Sequence, residues 1–174
     1  DTIRLPVLIA TRTAGTGQRS TSLADLDVDH LYAAQTLRIE ADGDVIGGNA
    51  AAEGEVFISG RNLDLDRTQS YAEDVQLRAS NDIHARLVKA FRDIGIIAGG
   101  NLVMDAYEAQ RLSLSAGRDL LVGLGGNLTV SGYAEAGRDV FFNIGGNVDL
   151  LGIRAGRDVV VTTRGLINIT EVID

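Results

Sequence analysis

Gly117-Arg118-Asp119-Leu120-Leu121-Val122-Gly123-Leu124-Gly125-Gly126-Asn127-Leu128 returns, shifted by 20 residues, as Gly137-Arg138-Asp139-Val140-Phe141-Phe142-Asn143-Ile144-Gly145-Gly146-Asn147-Val148. A third start, Ala155-Gly156-Arg157-Asp158, follows 19 residues on, and each of the three tracts is preceded by Ala (Ala116, Ala136, Ala155). Two turn-like tripeptides per period of about 20 residues, each followed by alternating apolar residues, are the signature of a solenoid. Such a fold grows by stacking each coil on its neighbour, so its natural product is an elongated surface rather than a cleft.

Working outward from this stretch, two series of corner positions cover nearly the whole chain. The first runs Asp25, Asp44, Asn62, Asp82, Asn101, Asn127, Asn147, Leu166; the second runs Thr36, Glu55, Asp74, Asp93, Arg111, Asp139, Asp158. Side chains alternate across a strand, so positions one and three residues after a corner share a face. In the second series these are Leu37/Ile39, Val56/Ile58, Val75/Leu77, Ile94/Ile96, Leu112/Leu114, Val140/Phe142 and Val159/Val161, with no polar interruption. The positions between them, Arg38, Phe57, Gln76, Gly95, Ser113, Phe141 and Val160, are expected to face outward. A helix is excluded by the apolar spacing of two and by recurrent Gly, which costs about 1 kcal/mol at each helix-interior position. The locally helix-like stretch His84 to Phe91 still fits the coil spacing as a strand.

The expected architecture is therefore all-β, a right-handed parallel β-helix of about 19–20 residues per coil and roughly eight coils. A longer, variable arm, as in Thr68 to Glu73 or Ser131 to Glu135, carries the third side. Residues 1–22 read as a non-repeat segment and residues 23–174 as the β-helix. An irregular coil is expected near 105–127, where Arg111, Asp119 and Asn127 follow one another at intervals of 8. Residues 167–174 run out of the repeat without a polar cap, so the expectation is a segment of a longer rod or a unit that stacks end to end.

Composition removes several classes of function. A net charge of −8 with a single lysine, Lys89, argues against nucleic acid as a partner. No apolar run approaches a transmembrane span, so no membrane insertion is expected. The chain also opens without the basic and apolar regions of a signal peptide, as a mature or excised segment would. With no cysteine there are no disulfides, thiolate metal sites or cysteine nucleophiles.

The Ala-Gly-Arg-Asp tracts, the β-branched residues after them and Gly-Gly-Asn-Leu resemble the haemagglutinin repeats of filamentous haemagglutinin-type exoproteins. The resemblance spans residues 23 to 166 and is strongest from Gly99 to Val161. It implies a right-handed β-helix, export by two-partner secretion, a secreted or bacterial cell-surface location, and a role as adhesin or as the stalk of a contact-dependent toxin. It transfers no catalytic residue. The chain has no secretion-domain signature of the Asn-Pro-Asn type, its only proline being Pro6, and no recognisable toxin domain. Gly43-Asp44-Val45-Ile46-Gly47-Gly48 also resembles bactofilin-type proteins, which implies an end-to-end filament subunit as the alternative.

The side chains that carry chemistry read mostly as architecture. Asn62, Asp74, Asp82, Asp93, Asn101, Asp119, Asn127, Asp139, Asn147 and Asp158 are expected as structural corners, with neighbouring Gly supplying positive φ and Asn or Asp bonding local backbone. Asp25, Asp27 and Asp29 alternate with apolar residues and Asp64 with Asp66 repeats the theme, but the calcium nonapeptide is absent, so a solvated acidic face without metal is expected. His30 and His84 read as surface residues, and Gly15-Thr16-Gly17 as a loop. No cofactor and no catalysis are expected; a polysaccharide lyase, the weaker alternative, would need a groove built from Asp74, Asp93 and nearby arginines. Phe141 and Val160 fall on one outward face in consecutive coils and form a candidate interaction surface. The partners this implies are neighbouring β-helical segments, like subunits stacked end to end, or a host-cell or bacterial surface receptor.

Overall fold

The computed structural model describes residues 3–5, 8–10, 18–22, 26–105 and 112–172, with side chains over 29–105 and 112–171. Among these the regular elements are all strands, and every strand pair is parallel. One sheet is ordered β1 (Ile3–Leu5), β4 (Leu26–Ala33), β6 (Val45–Ala52), β8 (Leu63–Ser70), β10 (Ile83–Ala90), β12 (Leu102–Met104), β15 (Leu128–Ala136), β17 (Val148–Ala155), β19 (Ile167–Val172). In the same sheet β2 (Leu8–Ala10) pairs with β4, and β13 (Leu112–Ala116) lies between β10 and β15. The second sheet runs β18 (Asp158–Thr163), β16 (Asp139–Ile144), β14 (Leu120–Leu124), β11 (Ile94–Ala98), β9 (Val75–Ala79), β7 (Val56–Gly60), β5 (Leu37–Ala41), β3 (Gln18–Ser22). The chain is a parallel β-solenoid with about 19 residues per turn, making about 7 turns. At the usual strand separation these turns span on the order of 35 Å.

The long strands of the first sheet bend in the middle, where pairing skips a residue: Gly47 pairs with Leu65 and Asn49 with Arg67, leaving Gly48 and Asp66 at the bend. The variable arm expected as the third side is thus the second half of these strands, Arg67 to Ser70 in β8 and Ser131 to Ala136 in β15. Between the three sides lies a continuous apolar core. Leu37, Ile39, Val56, Ile58, Val75, Leu77, Ile94, Ile96, Val140 and Phe142 are all buried, as the alternation requires. After the bend, Ala33, Ala52, Ala90, Ala116 and Ala136 form a buried column of small side chains, with Ser70 in the same row. The alanine that precedes each Gly-Arg-Asp tract is therefore the inside of a corner. The helix-like stretch is strand β10.

Three expectations are corrected. Within the segment set apart at residues 1–22, the described strands share the sheet registers of the next coil: β1 and β2 pair with β4, and β3 pairs with β5. In the long coil the second corner series continues through Asp119, with Leu120 and Val122 opposite Ile94 and Ile96. Arg111 lies outside the described residues. Leu114 faces Val88 in the first sheet, and Ser113, expected to point outward, is buried beside a register shift in β13. The step from Asp93 to Asp119 is consequently 26 residues.

Glycine stands at these corners for a reason other than the expected positive φ. Gly117, Gly137 and Gly156 do not have positive φ in the left-handed region. A Cβ on them would instead meet the carbonyl oxygen of the coil beneath at 2.0 Å (Phe91), 2.2 Å (Gly117) and 2.2 Å (Gly137). Glycine is required there so that one backbone can rest on the next.

Candidate functional site

Behind the glycine row runs a double ladder of charge. Four corner aspartates of the second series take a guanidinium from the arginine one coil later: Arg92 bonds Asp74 at 3.1 and 3.3 Å, Arg118 bonds Asp93, Arg138 bonds Asp119, and Arg157 bonds Asp139. The same carboxylates accept backbone N–H groups of the next corner, from Asp93 to Asp74 at 3.1 Å and from Asp119 to Asp93 at 3.0 Å. Arg and Asp are adjacent in sequence, but the bidentate contacts reach across coils, the geometry for which guanidinium and carboxylate are matched. Arg138 hydrogen-bonded to Asp119 holds that carboxyl below the usual range, over the opposing effect of burial. At Asp74 burial pushes upward, but the Arg92 hydrogen bond, the Asp93 N–H and the nearby guanidinium charges outweigh it.

The first series is a ladder of amides and carboxylates. Asn62 donates to Asp44 at 2.8 Å, Asp82 Oδ1 accepts the Asn101 N–H at 2.6 Å, Asn101 accepts that of Asn127 at 2.8 Å, and Asn127 that of Asn147 at 2.8 Å. Asn147 in turn accepts the Leu166 N–H at 2.9 Å. The expected corner residues are thus brought together into two rows, and most of their side chains close a backbone donor that the turn would leave unpaired. Asp158 differs, being half exposed and paired only with its own neighbour Arg157 at 3.3 Å.

The acidic theme of Asp64 and Asp66 is partnered as well. Asp66 faces Arg86 at 3.2 Å, and Asp64 lies 2.9 Å from His84. Among the described residues no group of His, Asp or Glu is arranged to hold a metal. Asp25, the Asp27 side chain and Gly15-Thr16-Gly17 lie outside the described residues. His30 contacts Asn49 across one coil at 3.0 Å.

The outward face of the second sheet changes character along its length. Toward the N-terminus Phe57 is sandwiched between Arg38 and Arg78, whose guanidinium carbons lie 4.1 and 5.5 Å from its centroid, and it is buried. Beyond Gly95 the row turns aliphatic and aromatic: Leu121 opposes Phe141, Phe141 opposes Val160, and all three are exposed together with Ile97. Gly95 and Gly123 lower the floor between them, giving a shallow groove of about 670 Å³ rimmed by Gln76, Asn143 and Thr162. No family model, curated protein or solved structure matches this chain. The face itself therefore defines the candidate site. Phe141 and Val160 are legible in the sequence as outward residues of this face; Leu121 is not, because the corner at Arg111 puts Ser113 where Leu121 stands, and Ile97 is not, because it lies four residues after its corner rather than two.

Proposed function

We propose that this chain is a structural and adhesive rod segment of a secreted bacterial surface protein, acting through its lateral face and without catalysis. The observation that carries this reading is how the repeated charges are used. The corner carboxylates are engaged with the next coil, Asp93 included, so they serve the rod, while the face of Ile97, Leu121, Phe141 and Val160 remains exposed for contact. The resemblance of the Ala-Gly-Arg-Asp and Gly-Gly-Asn tracts to haemagglutinin repeats supports the same reading and adds two-partner secretion to it.

Attachment of chain-coated beads to host or bacterial cells tests it. Leu121→Asp combined with Phe141→Asp is expected to reduce attachment about tenfold, the scale of losing central apolar anchors from an interface. Both side chains point outward but face each other across β14 and β16, so the facing carboxylates should lower the melting temperature by about 2–8 °C while the strand signal in circular dichroism is retained. Unchanged attachment would remove the face from the adhesive role.

A second reading, an end-to-end filament subunit, draws on the resemblance of Gly43-Asp44-Val45-Ile46-Gly47-Gly48 to bactofilin-type proteins. Electron microscopy across a concentration series separates the two. Short rods of constant length favour the segment, and concentration-dependent fibres of solenoid width favour the filament.

A further inference from the structure

On the first sheet, away from the groove, His84 lies between two carboxylates belonging to the coils on either side. Its Nδ1 is 2.9 Å from Asp64 Oδ1 and its Nε2 is 2.9 Å from Asp105 Oδ2. An ionised carboxylate only accepts hydrogen bonds, and a neutral imidazole has one donor and one acceptor nitrogen. A neutral ring would therefore set a lone pair against one of the two oxygens at hydrogen-bond distance. Protonating a carboxyl instead is unfavourable for groups whose side chains are 64% and 54% exposed. The arrangement fits the imidazolium alone.

The register makes the bridge specific. In its row His84 faces Asp64 on β8 but Val103 on β12, a side chain with no acceptor, and Asp105, two residues further, turns back to reach the ring. Asp105 is also tied to the coil beneath through its N–H, bonded to Ala85 O at 3.0 Å. Among the described residues, the other charged groups near the ring are Arg86 on the same strand, paired with Asp66 of β8, and Asp29 of β4, which lines the same depression. Strand β6 contributes Ile46 and Gly47 there, neither of which titrates.

We infer that His84 is a pH-dependent brace that ties three successive coils together when doubly protonated and, on losing a proton, can hold only one of the two carboxylates at a time. Its place is the start of the long coil, where β10 is followed by two short strands, β12 and β13, in place of one long one. The hydrogen bond the ring donates to Asp105, then that to Asp64, raise its affinity for the second proton against the opposing effect of burial. A group whose folded affinity is raised contributes stability that is full below the unfolded value of about 6.5 and is lost as pH rises through the folded value.

Nuclear magnetic resonance on the whole chain tests this, following the His84 ring proton and the exchange protection of the Asp105 amide from pH 5 to 9. The expected result is a His84 midpoint above about 6.5 and Asp105 protection about three- to tenfold greater at pH 5.5 than at 8.5. The amides of β9 should show no such ratio. Asp105→Asn keeps an acceptor but removes the charge, and should lower the midpoint; His84→Asn should abolish the ratio while the circular dichroism of the rod is retained. A midpoint at or below 6.5, or a protection ratio that survives His84→Asn, would overturn the inference.

Discussion

Gly137→Ala is expected to melt about 6–12 °C below the parent chain, from a cost of about 3 kcal/mol, whereas Gly123→Ala should stay within about 2 °C. Both replace a glycine in the same neighbourhood by the smallest side chain, so the difference isolates coil-to-coil contact. At Gly137 the new Cβ lies 2.2 Å from Gly117 O and 3.0 Å from its carbonyl carbon. Those atoms are backbone and cannot rotate aside, so the coils must separate by roughly 1 Å to restore van der Waals distance. Separation stretches the Gly137 N–H bond to Ala116 O (3.0 Å) and that of Arg138 to Arg118 O (2.8 Å), and pulls Arg138 from Asp119. At Gly123 a Cβ meets nothing within 4 Å. Urea and thermal melts of the two variants check the contrast; equal melting temperatures would mean that the glycine row is not what sets the coil spacing.

The same row shows what a sequence of this kind conveys and what it conceals. Period-two alternation after each corner is a direct record of burial, which is why Leu37 through Phe142 could be assigned inward before any coordinates. A glycine at a corner is compatible with two physical needs, an unusual backbone angle or a close approach, and only three-dimensional stacking tells them apart. Adjacency misleads in a similar way at Arg138-Asp139: the bidentate partner of Arg138 is Asp119, 19 residues earlier. In the long coil Leu112-Ser113-Leu114 alternates more cleanly than Leu120-Leu121-Val122, and alternation does not say which side of a solenoid a strand forms. The tract Gly117-Arg118-Asp119 was the signal that could have decided it, since the same tripeptide opens β16 and β18. His84 and Asp105 carried no signal, because their meeting depends on the register of β12 against β10 and on no recurring motif.

Asp119→Ala should cost about 2–3 kcal/mol at pH 7, a fall of about 5–10 °C in melting temperature, and the cost should shrink in acid. The residue is 9% exposed, so water does not replace what is removed. Arg138 loses its bidentate acceptor, and the Asp139 N–H loses the carboxylate that accepts from it. Asp119→Asn separates these contributions: an amide oxygen still accepts the N–H but carries no charge for Arg138, so its cost should be about half as large. The pH dependence follows from the sign of the shift. Because Arg138 holds the folded carboxyl below the unfolded value of about 3.9, its stabilisation is complete above that value and disappears as pH falls through the folded one. The gap between parent and Asp119→Ala should therefore narrow by about half between about pH 4 and pH 2, since a protonated carboxyl still accepts the Asp139 N–H, while the gap produced by Gly137→Ala, which is steric, persists over the same range. A gap for Asp119→Ala that does not narrow in acid would assign the residue's contribution to packing rather than to its charge. Convergence of both variants would point to acid loss of the whole ladder, with Asp74 and Asp119 releasing their guanidinium partners together.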